Sequence, residues 1–195
     1  MEELTTYSYK LKKYFNRAFE EHVKIIDNIP YENIFQFINL IKSAFVRNNK
    51  LMIFGNGGSA ADSIHVASEF VNKMLKNRQA LPAISLCTDP AILTAISNDL
   101  DYSQIFSRQI EAIGHYNDIA IGISTSGTSL NILNAFKICK DKNIRTVLFT
   151  GDENRIIDDE NIGLIISVNS QITARIQEAH ILYWHIICEM IEDDL

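Results

Sequence analysis

The run Leu51-Met52-Ile53-Phe54-Gly55-Asn56-Gly57-Gly58-Ser59 decides the fold. Four apolar residues stop at a segment with three glycines in four positions. A short apolar run closed by glycine suits a strand buried on both faces. Helical spacing follows over 59–76. The same alternation continues, with strands expected at 83–86, 119–123, 146–149 and 164–167. Helices are expected at 90–98, 102–114, 129–140 and 173–191. Alternating β and α elements imply an α/β chain, a three-layer α/β/α sandwich around a five-stranded parallel sheet. Upstream, residues 1–48 read as two helices broken at Pro30, the second over 31–47. They are expected to pack on the sheet domain or on another subunit.

The 195 residues leave room for one domain, 1–195, and hardly a second. Hydrophobic residues at 47% and charged residues at 22% exclude disordered and fibrous classes. The net charge of −6 lacks the basic footprint of a nucleic-acid binder. The apolar stretches are too short to span a bilayer, and Met1-Glu2-Glu3-Leu4 does not resemble a signal peptide. Cys87, Cys139 and Cys188 are odd in number, widely spaced and set in apolar runs. Buried reduced thiols and a cytoplasmic location are expected, with neither membrane nor nucleic acid as partner.

In parallel α/β sheets, ligands bind beyond the carboxyl ends of the strands where strand order reverses. The loops after the first and third strands are accordingly the first candidates. Asn56, Gly57, Gly58 and Ser59 lead into a helix, whose exposed amides favour an anion or a polar oxygen. A tight turn capped by Ser59 is the structural alternative. The loop has neither the Gly-Lys-Ser/Thr of a P-loop nor the dinucleotide GxGxxG. After the third strand comes Ser124-Thr125-Ser126-Gly127-Thr128-Ser129, with five hydroxyls in six residues. Capping requires one or two hydroxyls, so the surplus points to a phosphate cradle built without lysine.

His65 and Glu69 stand four apart, on one face of the helix after the glycine loop. An imidazole and a carboxylate so placed suit a divalent metal, acid–base chemistry or a simple solvated pair. On the final helix, Gln177 and His185 are eight apart and share a face. His180 lies about 140° from His185 at 3.6 residues per turn and requires a different partner.

Five motifs together are similar to the phosphoheptose isomerases of the sugar isomerase (SIS) fold. They are GNGGSAADSIHVASE at 55–69, TAISND at 94–99, IFSRQ at 105–109, STSGTS at 124–129 and RIQEAH at 175–180. The resemblance implies a flavodoxin-like strand order. It implies a homotetramer with active sites between subunits, in which residues 1–48 serve packing and oligomerisation. It also implies interconversion of sedoheptulose 7-phosphate and D-glycero-D-manno-heptose 7-phosphate. That reaction leads to nucleotide-activated heptose for lipopolysaccharide, capsule or other surface glycans.

By the same resemblance, His65, Glu69, Gln177 and His185 hold one zinc ion. Glu69 is the general base and His185 the general acid. Asn56, Gly57, Gly58 and Ser59 form the substrate loop, Asn98 and Asp99 a second substrate segment, and Gln177 also binds substrate. Ser124, Thr125, Ser126 and Ser129 hold the phosphate. Two positions depart from the pattern: Ala174 stands where some members carry Asp, and Lys73 where some carry Arg. A non-catalytic relative of the fold, an adaptor for the replication initiator protein, lacks the carboxylate that Glu69 supplies here. An isomerase of another sugar phosphate is a further alternative.

Overall fold

The computed structural model describes residues 2–152 and 160–194, with side chains from residue 6 onward. Five strands, β1 (Leu51–Gly55), β2 (Ala83–Ser85), β3 (Ile119–Ser124), β4 (Arg145–Thr150) and β5 (Leu164–Ser167), form one sheet. Every pairing is parallel, and the strand order is β2-β1-β3-β4-β5. The expected fold class and flavodoxin-like order are thus what the chain adopts. The order reverses between β1 and β3, whose register aligns Leu51 with Ile119 and Gly55 with Ile123.

Alternation along the strands divides the apolar side chains into two cores. Leu51, Ile53, Ile121 and Phe149 face α2 (Tyr31–Val46), α3 (Gly58–Val71) and α7 (Thr173–Asp193), where Phe37, Phe70 and Trp184 cover them. Met52, Phe54, Ala120 and Leu148 face α5 (Ser107–Ile113) and α6 (Leu130–Asp141), against Phe106, Ile110 and Phe136. Gly122 lies on this second face. A Cβ there would meet Phe136 Cζ at 2.9 Å, so the missing side chain lets α6 settle onto the sheet. The remaining helices are α1 (Glu2–Ile26) and α4 (Pro90–Asp99). Among the described residues, no helix is long and apolar enough to cross a membrane.

Two elements depart from the sequence expectation by more than two residues. The region 102–114 is a 3₁₀ turn, Tyr102–Gln104, followed by α5, and not one continuous helix. More consequentially, α3 ends at Val71 although helical spacing continues to residue 76. The cause lies on α7. The buried Glu192 carboxylate accepts hydrogen bonds from the backbone amides of Met74 (2.7 Å), Leu75 (2.8 Å) and Lys76 (3.0 Å). Amides satisfied in this way are no longer available to the helix.

Burial alone would raise the Glu192 pKa. The three amide bonds and the charge of Arg78 outweigh it and hold the group down at about 2, below the ordinary 4.5. A depressed carboxylate contributes stability above its unfolded pKa, and that contribution disappears as pH falls through the folded value. Glu192→Gln is therefore expected to unfold at lower urea than the parent above about pH 4.5, with the gap closing toward pH 2. Urea titrations at stepped pH test this. A gap that persists unchanged in acid would show that the carboxylate's charge is not its source.

Candidate active site

The β1–β3 pairing places the two candidate loops side by side. Gly55 allows the first loop to turn, since a Cβ there would stand 2.9 Å from the Ile123 carbonyl and 2.8 Å from Ser59 Cβ. Gly57 takes φ +56°, in the left-handed region, and precedes the first residue of α3. Ser59 does not cap the helix. It is buried beneath the loop, and Gly57 occupies the capping position.

The two loops are tied by a reciprocal amide pair. Asn56 Nδ2 donates to Asn131 Oδ1 at 3.0 Å, and Asn131 Nδ2 donates back to Asn56 Oδ1 at 2.8 Å. Tyr102 Oη also donates to Asn56 Oδ1, at 2.9 Å. Asn131 and Tyr102 were not among the sequence candidates. Each is a single polar residue whose neighbours in sequence do not mark it.

In the second loop, Ser124 Oγ lies 2.9 Å from Ser129 Oγ and 3.4 Å from Ser126 Oγ. Ser126 Oγ lies 3.0 Å from Thr128 Oγ1. The hydroxyls thus bond to one another. Ser129 holds the N-cap position of α6, yet its side chain caps no amide. Thr125 contributes its carbonyl, which accepts from the Gly151 amide at 3.2 Å. Linked hydroxyls beside a helix N-terminus can redirect their protons toward an anion.

The other wall comes from α3 and α7. His65 Nε2 lies 3.2 Å from Glu69 Oε1, and the His65 and His185 rings stand 5.2 Å apart edge to face. Gln177 reaches the glycine loop, where a Cβ on Gly58 would overlap its amide nitrogen. His65, Glu69 and His185 therefore gather where α3 and α7 meet, with Gln177 at the start of α3. In kind, two imidazoles, a carboxylate and an amide suit zinc. Two imidazoles bound at about 2.0–2.1 Å to one tetrahedral zinc would also set their ring centres roughly 5 Å apart. Among the described residues, however, no three His, Cys, Asp or Glu groups converge on a common point in metal-holding geometry. The His65 and Glu69 donor atoms stand 3.2 Å apart, a separation that two ligands of one ion can share.

Asn98 and Asp99 do not join this cluster. Both are exposed at the end of α4, where Asn98 Nδ2 donates to Asp99 Oδ1 at 2.8 Å. Lys73 is exposed past the end of α3 and donates to Asn77 at 2.5 Å, while Ala174 is exposed in the first turn of α7. Asp62, one turn before His65, was also missed by sequence reasoning. Burial raises its pKa against the opposing charge of His65, and its Oδ2 has no hydrogen-bond partner.

His180 has the separate partner its helical position requires. It is buried, donates through Nε2 to the Thr150 carbonyl at 3.0 Å, and is pushed down to about 4 by burial. It stays neutral at physiological pH and does not take part in proton exchange there. The thiols of Cys139 and Cys188 are buried and pushed up to about 12. Cys87, expected to be buried as well, is only half-buried, with Sγ 3.4 Å from the Gly55 carbonyl.

The SIS domain family matches residues 13–151 of the chain. The phosphoheptose isomerase of Thermodesulfovibrio yellowstonii is 43% identical over 182 residues, covering 92% of this chain and 90% of that one. Two solved structures superpose closely. The phosphoheptose isomerase of Neisseria gonorrhoeae gives a TM-score of 0.83 at 31% identity, covering 95% of this chain and 98% of that one. That of Francisella tularensis gives 0.84 at 32%, covering 94% and 97%.

Since its hydroxyl caps no amide and bonds only Ser124, Ser129→Ala is expected to cost about 1 kcal/mol, the loss of one hydrogen bond. Inorganic phosphate binding should weaken at least tenfold. Urea unfolding and calorimetric titration read the two effects separately. A large stability loss with unchanged phosphate affinity would assign the hydroxyl to the fold.

Proposed function

Because the chain belongs to the phosphoheptose isomerases of the SIS-domain family, we propose that it interconverts sedoheptulose 7-phosphate and D-glycero-D-manno-heptose 7-phosphate. The observation carrying this reading is that Glu69 and His185 both come to His65, in a fold whose adjacent strands carry the glycine loop and a lysine-free hydroxyl loop. The loop would anchor the phosphate, held by Ser124, Thr125, Ser126 and Ser129. Asn56, fixed by Asn131 and Tyr102, would meet the sugar hydroxyls. The reactive carbons then lie toward Glu69 and His185.

Aldose–ketose isomerisation moves one proton between adjacent carbons through a cis-enediol. Glu69 takes the proton from C2 of the aldose, or from C1 of the ketose, and returns it to the neighbouring carbon. His185 exchanges protons with the two oxygens. Such a division between a carboxylate base and an imidazole acid operates near neutral pH. His65, Glu69, Gln177 and His185 are the residues that would hold zinc, which when bound would polarise the carbonyl and hydroxyl oxygens. The N/O donors and the spacing of the two imidazoles support this assignment.

The reading extends to a homotetramer. Helix α1 leaves Tyr7, Phe15 and Phe19 more than half exposed on its surface. An apolar groove of about 290 Å³ between α2 and α7, lined by Ile34, Phe35, Leu182, Ile186 and Met190, is a second uncovered face. These exposed apolar faces support association between copies of the chain. The cysteines, which form no disulfide, fit a cytoplasmic enzyme.

Glu69→Gln and His185→Gln are each expected to lower turnover of sedoheptulose 7-phosphate by at least a hundredfold, with the oligomer intact by light scattering. Near-normal turnover in either would remove its assigned role. Chelation should abolish activity and zinc should restore it; full activity in protein shown to be metal-free by mass spectrometry would refute the zinc assignment.

A further inference from the structure

Glu69 stands in the last turn of α3, two residues before the helix ends. The final carbonyls of a helix lack partners within it, and such turns fray. A base located there would be poorly fixed unless those carbonyls were captured. Arg78 captures them: Nη2 donates to the carbonyl of Glu69 at 2.6 Å and Nη1 to that of Phe70 at 2.8 Å. Its guanidinium is also positive at the negative end of the helix dipole.

Arg78 is itself held. Its Nε donates to Glu192 Oε1 at 3.1 Å, and both side chains are buried. Glu192 follows His185 by seven residues, two turns along α7, so the two share a stripe of that helix. The upper contact of this stripe is His185 with His65 on α3. The lower contact is Glu192 with Arg78, under the end of α3. Helices α3 and α7 are thus pinned on both sides of Glu69.

We infer that Arg78 and Glu192 are a positioning pair, which fixes the Glu69 carboxylate relative to His185 by capping the helix that carries it. The donors and acceptors of both residues are engaged within the protein, with each other and with the backbone at the end of α3. The inference rests on Glu69 being the base of the proposed isomerisation. The pair sets the rate of proton transfer and leaves substrate affinity to the loops. Misplacing a catalytic group by about 1 Å costs on the order of a hundredfold in rate.

The test uses the intact zinc-loaded protein and sedoheptulose 7-phosphate. Arg78→Lys keeps a cation beside Glu192 but cannot span two carbonyls and a carboxylate. Its kcat is expected to fall ten- to a hundredfold, with KM changed less than threefold. Amides of residues 70–76 should exchange with deuterium faster than in the parent. Free guanidinium should restore part of the kcat of Arg78→Ala. Should that variant not fold, Glu192→Asp, which withdraws the carboxylate by one methylene, is expected to repeat the Arg78→Lys pattern. Ile110→Val, in the core on the far side of the sheet, provides a stability control. The inference is overturned if Arg78→Lys keeps its parent kcat, or if its loss matches that of the control at equal melting temperature. A parent that binds the sugar phosphate without converting it overturns the isomerase reading, and the pair's catalytic role with it.

Discussion

The site depends on the direct pairing of β1 with β3. Sixty-odd residues separate the two strands in sequence, yet Gly55 and Ile123 are aligned neighbours in the sheet. Parallel strands at a reversal point send their connections to opposite faces, and a crevice opens between them. Here the crevice receives a glycine loop from one strand and a hydroxyl loop from the other. The amide pair of Asn56 and Asn131 then holds the two loops at a fixed separation. Without the glycine at 55, the contact with the Ile123 carbonyl would force the strands apart and the loops with them.

Helix α7 separates two histidines by environment. His180 points into the core, pairs with a backbone carbonyl and is kept neutral by burial. His185, five residues later, faces His65 at the opening between helices. Neighbouring turns of one helix thus supply one histidine to the core and one to the opening beside α3. Trp184, between them in the chain, stacks on Phe149 at 4.6 Å and anchors the helix to the sheet.

Much of this arrangement is legible in the sequence because it rests on local pattern. Apolar runs ending in glycine locate the strands, and spacings of four and eight locate the His65–Glu69 and Gln177–His185 faces. Residues whose meaning comes from distant partners are not legible. Tyr102 and Asn131 become site residues only when folding brings them to Asn56. Glu192 sits in an acidic terminal run, Glu192-Asp193-Asp194, that reads as solvated surface, yet it is buried. Its amide bonds also explain why helical spacing past Val71 goes unused. Asn98 and Asp99 enter the candidate list through a motif alone, and the fold places them exposed at the end of α4, bonded to each other.

As the proposed phosphate site, the hydroxyl loop has a consequence for how an anion arrives. Its donors are dipoles, which act over a few ångströms, and it contains no lysine or arginine to attract from a distance. At longer range a phosphate ester meets a protein of net charge −6. Approach is therefore weakly opposed and capture is short-ranged. Added salt screens the repulsion over about 10 Å at 0.1 M while leaving the buried end of the cradle largely untouched. Moderate ionic strength should thus speed encounter with the ligand, the opposite of the slowing seen where cationic clefts draw anions in.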